Sequence, residues 1–365
     1  MHLKKVSLFN FKNHSSTDLG FSEGINCFVG INGSGKTNLL DAIHYLALTK
    51  SALNTVDSQS ISHGEDFFSI KGSIVNGDSE SEVLCSFQAK QKKVFKVNKK
   101  EYGKLSEHIG KFPVVLIAPN DTDIIRDSSE IRRKFFDSIL AQLDNHYLQL
   151  LIRYTHFLKQ RNALLKQFAQ NNNYDKDLLS PYSIELITLS KSIAIHRKKL
   201  VTNYLPIFKE HYRKLSEGRE TVNIEYISKA LLPNFEELFS STIEKDLITQ
   251  RTNIGIHKDE YDFHIDNNQL KKFGSQGQQK SFLVALKLTQ FDIIKNEKNF
   301  KPILLLDDIF DKLDDLRIKK LIEMVANNNF GQLFITDARP ERSKELLSSI
   351  EKDILFFEVV NGEVK

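Results

Sequence analysis

The sequence predicts an α/β head that is discontinuous along the chain, with an α-helical second lobe inserted into it. Three observations carry that prediction: strand-like runs at both ends of the chain, helical periodicity between them, and a glycine-rich turn joining an early strand to a helix. In the first part, residues 3–9, 24–29, 67–75, 82–89 and 94–98 are short runs rich in β-branched and aromatic residues, separated by Gly, Asn, Asp and Ser. From Ser128 the pattern changes. Phe136, Leu140, Leu143, Tyr147, Leu151, Tyr154, Leu158 and Leu165 recur mostly at three- and four-residue steps, one helical face that Asp144 and Asn145 divide into two helices. Beyond the polar stretch 171–176 a further helical pattern runs through Ile184, Leu186, Leu189, Ile193, Leu200 and Leu205, where Pro206 is expected to kink or restart it. Strand character returns at 222–226 and 261–265, and strongly at 303–306 and 332–336. The expected division is 1–127 for the first part of the head, 128–220 for the helical lobe and 221–365 for the rest of the head.

At 365 residues and 40% hydrophobic content the chain can bury two cores. Lysine plus arginine number 51 against 47 acidic residues, a formal charge of +4 that is too balanced to demonstrate a polyanionic partner. Residues 1–14 hold no secretory apolar segment, and runs such as 114–118 fall far short of the ~18 residues of a membrane span, so a cytoplasmic chain without membrane contact is expected. Cys27 and Cys85 have no metal-ligand spacing and read as reduced core residues.

Gly30, Ile31, Asn32, Gly33, Ser34, Gly35, Lys36 and Thr37 fit the phosphate-loop pattern without a mismatch, between a strand ending at Val29 and a helix beginning near Lys36. The glycines admit backbone conformations closed to other residues, so successive N–H groups can point at the β-phosphate of ATP beside the positive end of the helix. Lys36 bridges the β- and γ-phosphates, and the Thr37 hydroxyl is placed to hold Mg2+. Such a site also needs an acidic partner at the end of a buried parallel strand, and the continuous apolar run 303–306 followed by Asp307 and Asp308 supplies it. Asp307 is the expected Mg2+ partner, and Asp308 the residue that orients or deprotonates the attacking water. A second segment, Ser275, Gln276, Gly277, Gln278 and Gln279, opens an apolar helical pattern; taken alone it is as readily an ordinary helix cap as an anion site.

The segment at Ser275 is similar to the signature motif of ATP-binding-cassette ATPases, and Asp311, Lys312, Leu313 and Asp314 to their D-loop. Gly30 to Asn38, Ser275 to Gln279 and Asp307-Asp308 together resemble the RecF family of bacterial recombination mediators. The resemblance spans almost the whole chain, through Asn10-Phe11-Lys12-Asn13, Pro119-Asn120-Asp121, residues 132–137, 160–166 and 255–259. Lys12, Lys258 and Glu260 stand where Arg, Arg and Asp are commoner in that family. Membership would imply an ABC-type head and a helical lobe. It would also imply an ATP-dependent homodimer in which Ser275, Gln276, Gly277 and Gln278 of one subunit close on the nucleotide of the other. Weak ATP hydrolysis would follow, with sequence-independent binding of duplex DNA near gap junctions and work with RecR and RecO in loading RecA. Asp337, after the strand at 332–336, stands where many transporter ATPases carry a switch histidine.

Two basic clusters could neutralise DNA phosphates: Lys90, Lys92, Lys93, Lys96, Lys99, Lys100 and Lys104, and Arg197, Lys198, Lys199, Lys209, Arg213, Lys214 and Arg219. Each reads equally well as a solvated face. His257 reads either as part of a ligand surface or as a structural hydrogen-bonding residue. The rival function is a nucleotide-binding subunit of a membrane transporter. The discontinuous head and the divergent signature argue against it. A chromosome-organising ATPase is excluded by the helical segment, too short at ~1.5 Å per residue for a long paired coiled coil.

Overall fold

The computed structural model describes residues 1–171, 173–309, 318, 320, 323, 330–348, 350 and 353–365. The chain forms two compact units, Met1–Thr122 with Gln276–Lys365, and Asp123–Ser275. In chain order the first unit begins with β1 (His2–Phe11), β2 (His14–Gly20), β3 (Ile25–Val29), α1 (Lys36–Leu48), β4 (Phe67–Asn76), β5 (Ser79–Gln88), β6 (Val94–Val97), β7 (Lys100–Glu101) and β8 (Val114–Ile117). The second unit follows with α2 (Asp123–Arg126), α3 (Ser129–Leu143), α4 (Asn145–Asn171), α5 (Lys176–Ser216), β9 (Val222–Ile227), α6 (Phe235–Ser241), α7 (Ile243–Thr249), β10 (Glu260–Ile265), β11 (Asn268–Gln269) and α8 (Leu270–Phe273). The chain then returns to the first unit through α9 (Gln276–Lys298), β12 (Ile303–Leu306), β13 (Leu333–Asp337), α10 (Pro340–Leu347), β14 (Ile354–Val360) and β15 (Glu363–Val364).

The first unit holds two six-stranded sheets, in the orders β2-β1-β4-β5-β6-β7 and β15-β14-β3-β13-β12-β8. The former is antiparallel; in the latter β14, β3, β13, β12 and β8 run parallel, and β15 is an antiparallel edge. Helix α1 buries Leu39, Leu40, Ala42, Ile43, Tyr45 and Leu46 around most of its circumference, the pattern of a helix enclosed on several sides rather than one lying on a surface. These side chains share a core with Leu8 of β1, Phe28 of β3, Phe68 of β4 and Phe334 of β13. Each fully buried Leu or Phe stabilises the unit by about 1.5–3 kcal/mol. Cys27 and Cys85 are free and buried in it, as expected of core residues.

In the second unit α4 and α5 follow one another after the break at Asp144, as the sequence implies. Pro206 does not restart α5, which runs unbroken from an Asp175 side-chain cap to Ser216. Pro206 and Thr202 lie on the exposed side, so the carbonyl deprived of its N–H partner meets water, while Tyr204, Phe208 and Tyr212 hold the opposite side in the core. The expected boundary at 220/221 is corrected to Ser275/Gln276, and that at 127/128 to Thr122/Asp123. The reason is packing. Strands β9, β10 and β11 form a separate sheet whose Tyr261 stacks on Phe136 of α3 at 4.1 Å, so they complete the helical lobe's core instead of the head's. Among the described residues, no helix is long and apolar enough to cross a membrane.

Candidate nucleotide site

Parallel pairing of β3, β13 and β12 brings three strand ends to one edge, where Val29 is level with Asp337 and Leu306 with Ile335. Ligand-binding groups of open α/β sheets collect at such an edge, between strands that part company in chain order. The loop leaving β3 holds Gly30, Gly33 and Gly35 at φ 153°, 82° and 116°, and α1 begins at Lys36. Asn32, Gly33, Gly35, Lys36, Thr37 and Asn38 line a cleft of about 170 Å³ together with Asp308 and Thr336.

The Lys36 ammonium is buried and donates to the Gly30 and Ile31 carbonyls at 2.7 and 2.9 Å. Burial pulls its pKa below the ordinary lysine value, while Asp308, Asp307 and Asp337 act in the opposite sense. The Thr37 hydroxyl donates to Asp307 Oδ1 at 2.8 Å. Thr336, which the sequence marked only as the end of a strand, joins the two acids: its hydroxyl donates to Asp307 Oδ1 at 2.8 Å and accepts from the Asp308 N–H at 2.9 Å. Burial raises the Asp307 carboxyl above its usual range, and the Thr336 and Thr37 hydrogen bonds oppose that shift. Asp308 adopts φ 48°, a left-handed conformation that aspartate enters more readily than most residues. Thr37 and Asp307 thus bring a hydroxyl and a carboxylate oxygen together beside the loop, a donor set that suits Mg2+, although Asp307 itself is buried and is not among the residues lining the cleft.

Two turns far apart in sequence support this loop. In the turn between β1 and β2, Asn13 Nδ2 donates to the Ser34 carbonyl at 3.0 Å, and Asn13 Oδ1 accepts from Asn38 at 2.7 Å. Lys12 pairs with buried Asp41 of α1 at 2.7 Å, fixing the turn against the helix that follows the loop. In the turn between β14 and β15, the Gly362 N–H donates to the same Ser34 carbonyl at 2.8 Å. None of these partners shows a sequence periodicity, and only the Asn10-to-Asn13 string marked one of the turns.

Other expected groups fall elsewhere. Ser275 immediately precedes α9, which opens at Gln276; among the described residues none of Ser275, Gln276, Gly277 and Gln278 lines the cleft. The D-loop resemblance at Asp311 to Asp314 lies outside the described residues. Asp337 is fully buried, accepting from Arg342, Ser343 and the Arg339 N–H around the start of α10, which makes it a structural anchor. Asp121, of the Pro119-Asn120-Asp121 segment, pairs with Lys287 of α9 at 2.7 Å and accepts from the Ala118 N–H, tying α9 to the end of β8.

The basic clusters need correction at two positions. Lys93 donates to Asp57, the Thr49 carbonyl and Tyr45, which makes it an internal clamp. Arg197 is 1% exposed, bidentate on Asp137 at 2.8 and 2.9 Å and bonded to Asp259 and the Ile256 carbonyl at 2.8 Å. A side chain so enclosed cannot meet a phosphate. Arg213 and Lys214 pair with Glu210, and Arg219 with Glu217; Lys198, Lys199 and Lys209 are exposed. His257 is structural: its Nε2 faces the Thr252 carbonyl at 3.0 Å, which requires the N–H there, and its Nδ1 accepts from Tyr154 at 2.6 Å. Burial lowers its pKa to about 4, in keeping with that neutral tautomer. Glu260 receives Arg132 and Ser129.

The RecF/RecN/SMC N-terminal domain family matches residues 2–352. DNA replication and repair protein RecF of Cytophaga hutchinsonii is 50% identical over 365 residues, covering 100% of this chain and 97% of that one. Its counterpart in Flavobacterium johnsoniae is 48% identical over 357 residues, 98% of this chain and 99% of its own. Among solved structures, the recombination mediator protein RecF with ATP, of the RecFOR pathway, superposes with a TM-score of 0.89 at 28% identity, over 100% of this chain and 98% of that chain. The Smc head domain of Pyrococcus furiosus shares the fold at 18% identity and a TM-score of 0.57, over 100% and 95% of the two chains. The α/β head with its helical second lobe is therefore an ABC-type ATPase head of the RecF and Smc kind, and the chain belongs to the RecF family of DNA replication and repair proteins.

Proposed function

We propose that this chain is an ATP-driven, DNA-binding recombination mediator. It binds ATP at Gly30 to Asn38, dimerises on it, and engages duplex DNA near single-strand gaps independently of sequence. In the same reading it acts with RecR and RecO in loading RecA. The observation that carries the reading is the meeting of the phosphate loop, Asp307 and Asp308 at one sheet edge, with Thr336 fixing both acids. Thr37 and Asp307 would hold Mg2+, which when bound neutralises charge on the β- and γ-phosphates. Asp308 would orient or deprotonate the attacking water, and Lys36 would exchange its loop carbonyls for phosphate oxygens. Ser275 to Gln278 would reach the nucleotide of a second copy, so that hydrolysis, which we expect to be slow, releases the dimer. A transporter subunit is not favoured, because the full-length relatives are DNA replication and repair proteins.

Sedimentation with ATP, with and without gapped duplex DNA, tests this. The wild-type chain should dimerise and bind DNA only when ATP is present. Lys36→Ala should lose at least about tenfold in ATP affinity, from charge-assisted contacts worth about 1.5–3 kcal/mol each, and should do neither. Ser275→Arg should still bind ATP through its own loop but fail to dimerise or turn over. Normal dimerisation and full turnover by Ser275→Arg would reduce the signature to a helix cap and end the shared-site reading.

A further inference from the structure

We infer that His14 is a positioning residue for the phosphate loop, fastening the Gly35 carbonyl at the loop's exit to the Gly362 carbonyl in the turn between β14 and β15. The inference rests on the reading of Gly30 to Thr37 as the nucleotide site. His14 is fully buried; its Nδ1 lies 2.7 Å from Gly362 O and its Nε2 3.1 Å from Gly35 O. The ring therefore spans two segments that are 348 and 21 residues away in sequence. Around it the fit is closed to any larger backbone. A Cβ on Gly362, whose φ is 84°, would meet the Asn13 carbonyl oxygen at 2.0 Å, and one on Gly35 the Asn13 side chain at 2.5 Å.

The reason such a brace matters is the planarity of the peptide. In a trans peptide the C=O and the following N–H point in opposite directions. Ser34 O is held from behind by Asn13 and by the Gly362 N–H, and Gly35 O by the Asn38 and Leu39 N–H groups at the start of α1 with His14 beside them. Those two carbonyls share their peptide planes with the Gly35 and Lys36 N–H groups. Fixing the oxygens on the turn side aims the N–H groups the other way, and Gly35 and Lys36 both line the cleft. Donors aimed in advance bind an anion without the cost of ordering the loop at the moment of binding. A neutral imidazole has one N–H, so it donates to one of the two carbonyls and meets the other without a hydrogen bond, and the Thr17 hydroxyl lies 3.4 Å from Nδ1.

Calorimetric titration of the full chain with MgATP tests this, because the fitted stoichiometry reports the folded fraction separately from the affinity. His14→Ala should weaken ATP about three- to tenfold at unchanged stoichiometry, the loss of one buried hydrogen bond. His14→Gln, whose carboxamide can donate to one of the two carbonyls, should recover part of that loss. Gly362→Ala reaches the brace from its other end and should weaken ATP to a similar degree, which keeps the test open if His14→Ala does not fold. Wild-type affinity at full stoichiometry in either His14→Ala or Gly362→Ala would overturn the inference, as would a His14→Gln variant no better than His14→Ala. If the wild-type chain itself fails to bind ATP, the nucleotide-site reading falls first and the brace falls with it.

Discussion

Lys36 in the first unit and Arg197 in the second are both buried cations, yet they are answered differently. The Lys36 ammonium bonds two neutral carbonyls at the wall of an open cleft, whereas all three guanidinium nitrogens of Arg197 meet Asp137, Asp259, Tyr147 or Ile256. A buried cation whose hydrogen bonds go to neutral carbonyls beside open space can exchange them for phosphate oxygens, which are better acceptors. One already enclosed by carboxylates has no such exchange to make. Their partners separate a charge left open to exchange from one that is enclosed, a distinction that their burial alone would not reveal.

The largest effect should come from breaking the structural member. Arg197→Ala leaves Asp137 and Asp259 without the cation they share, a loss of about 3–5 kcal/mol. Urea unfolding followed by tyrosine signals, with Tyr147, Tyr226 and Tyr261 all near the network, should show the loss. A change below about 1 kcal/mol would mean that the network is dispensable and the comparison misplaced.

The acids make the next comparison, since Asp307 and Asp308 share Thr336 but differ in their expected work. Asp308→Asn keeps the shape and the loop's donors, so ATP affinity should stay within a few-fold while hydrolysis slows by about 10²-fold or more. Single-turnover hydrolysis beside direct binding separates the two steps. Unaltered turnover would take the water-activating role away from Asp308.

How far this geometry was legible depended on whether it was local. The glycine turn and the helix start at Lys36 were legible because they are set within a few residues, and the position of Asp307-Asp308 at a strand end because β12 is an unbroken apolar run. Thr336, Asn13, His14 and Gly362 were not, since their partners are distant in sequence and a lone polar residue has no period. Arg197 was misplaced among exposed cations although a signal existed: it falls between Ile193 and Leu200 on the buried face of α5, at four- and three-residue steps. Lys198 and Lys199 turn away from that face. For β9 and β10, residue composition identified strands at 222–226 and 261–265 but could not say which core they bury, which is why the domain boundary moved.

Removing Arg197 from the second cluster also sharpens what its exposed neighbours can do, and this is the smallest effect expected. Among the described residues, Lys198, Lys199 and Lys209 are exposed outside the ion pairs that hold Arg213, Lys214 and Arg219, and Lys198 and Lys199 are the adjacent pair of these able to give their charge to a phosphate. The double variant Lys198→Ala, Lys199→Ala should leave stability within about 0.5 kcal/mol of wild type, since neither side chain is buried. Its effect should appear in duplex DNA binding measured with ATP over a range of salt concentrations. Each phosphate that the variant no longer neutralises takes about 0.9 off the slope of log K against log salt, equally for any DNA sequence. A Lys99→Ala, Lys100→Ala variant, from the exposed part of the first cluster, provides the matched control of equal charge change. A flattened slope in the first variant alone would place the DNA backbone on α5. If the slope is unchanged there, those lysines are an ordinary solvated face, and the loop lysines of the first cluster become the surface to test.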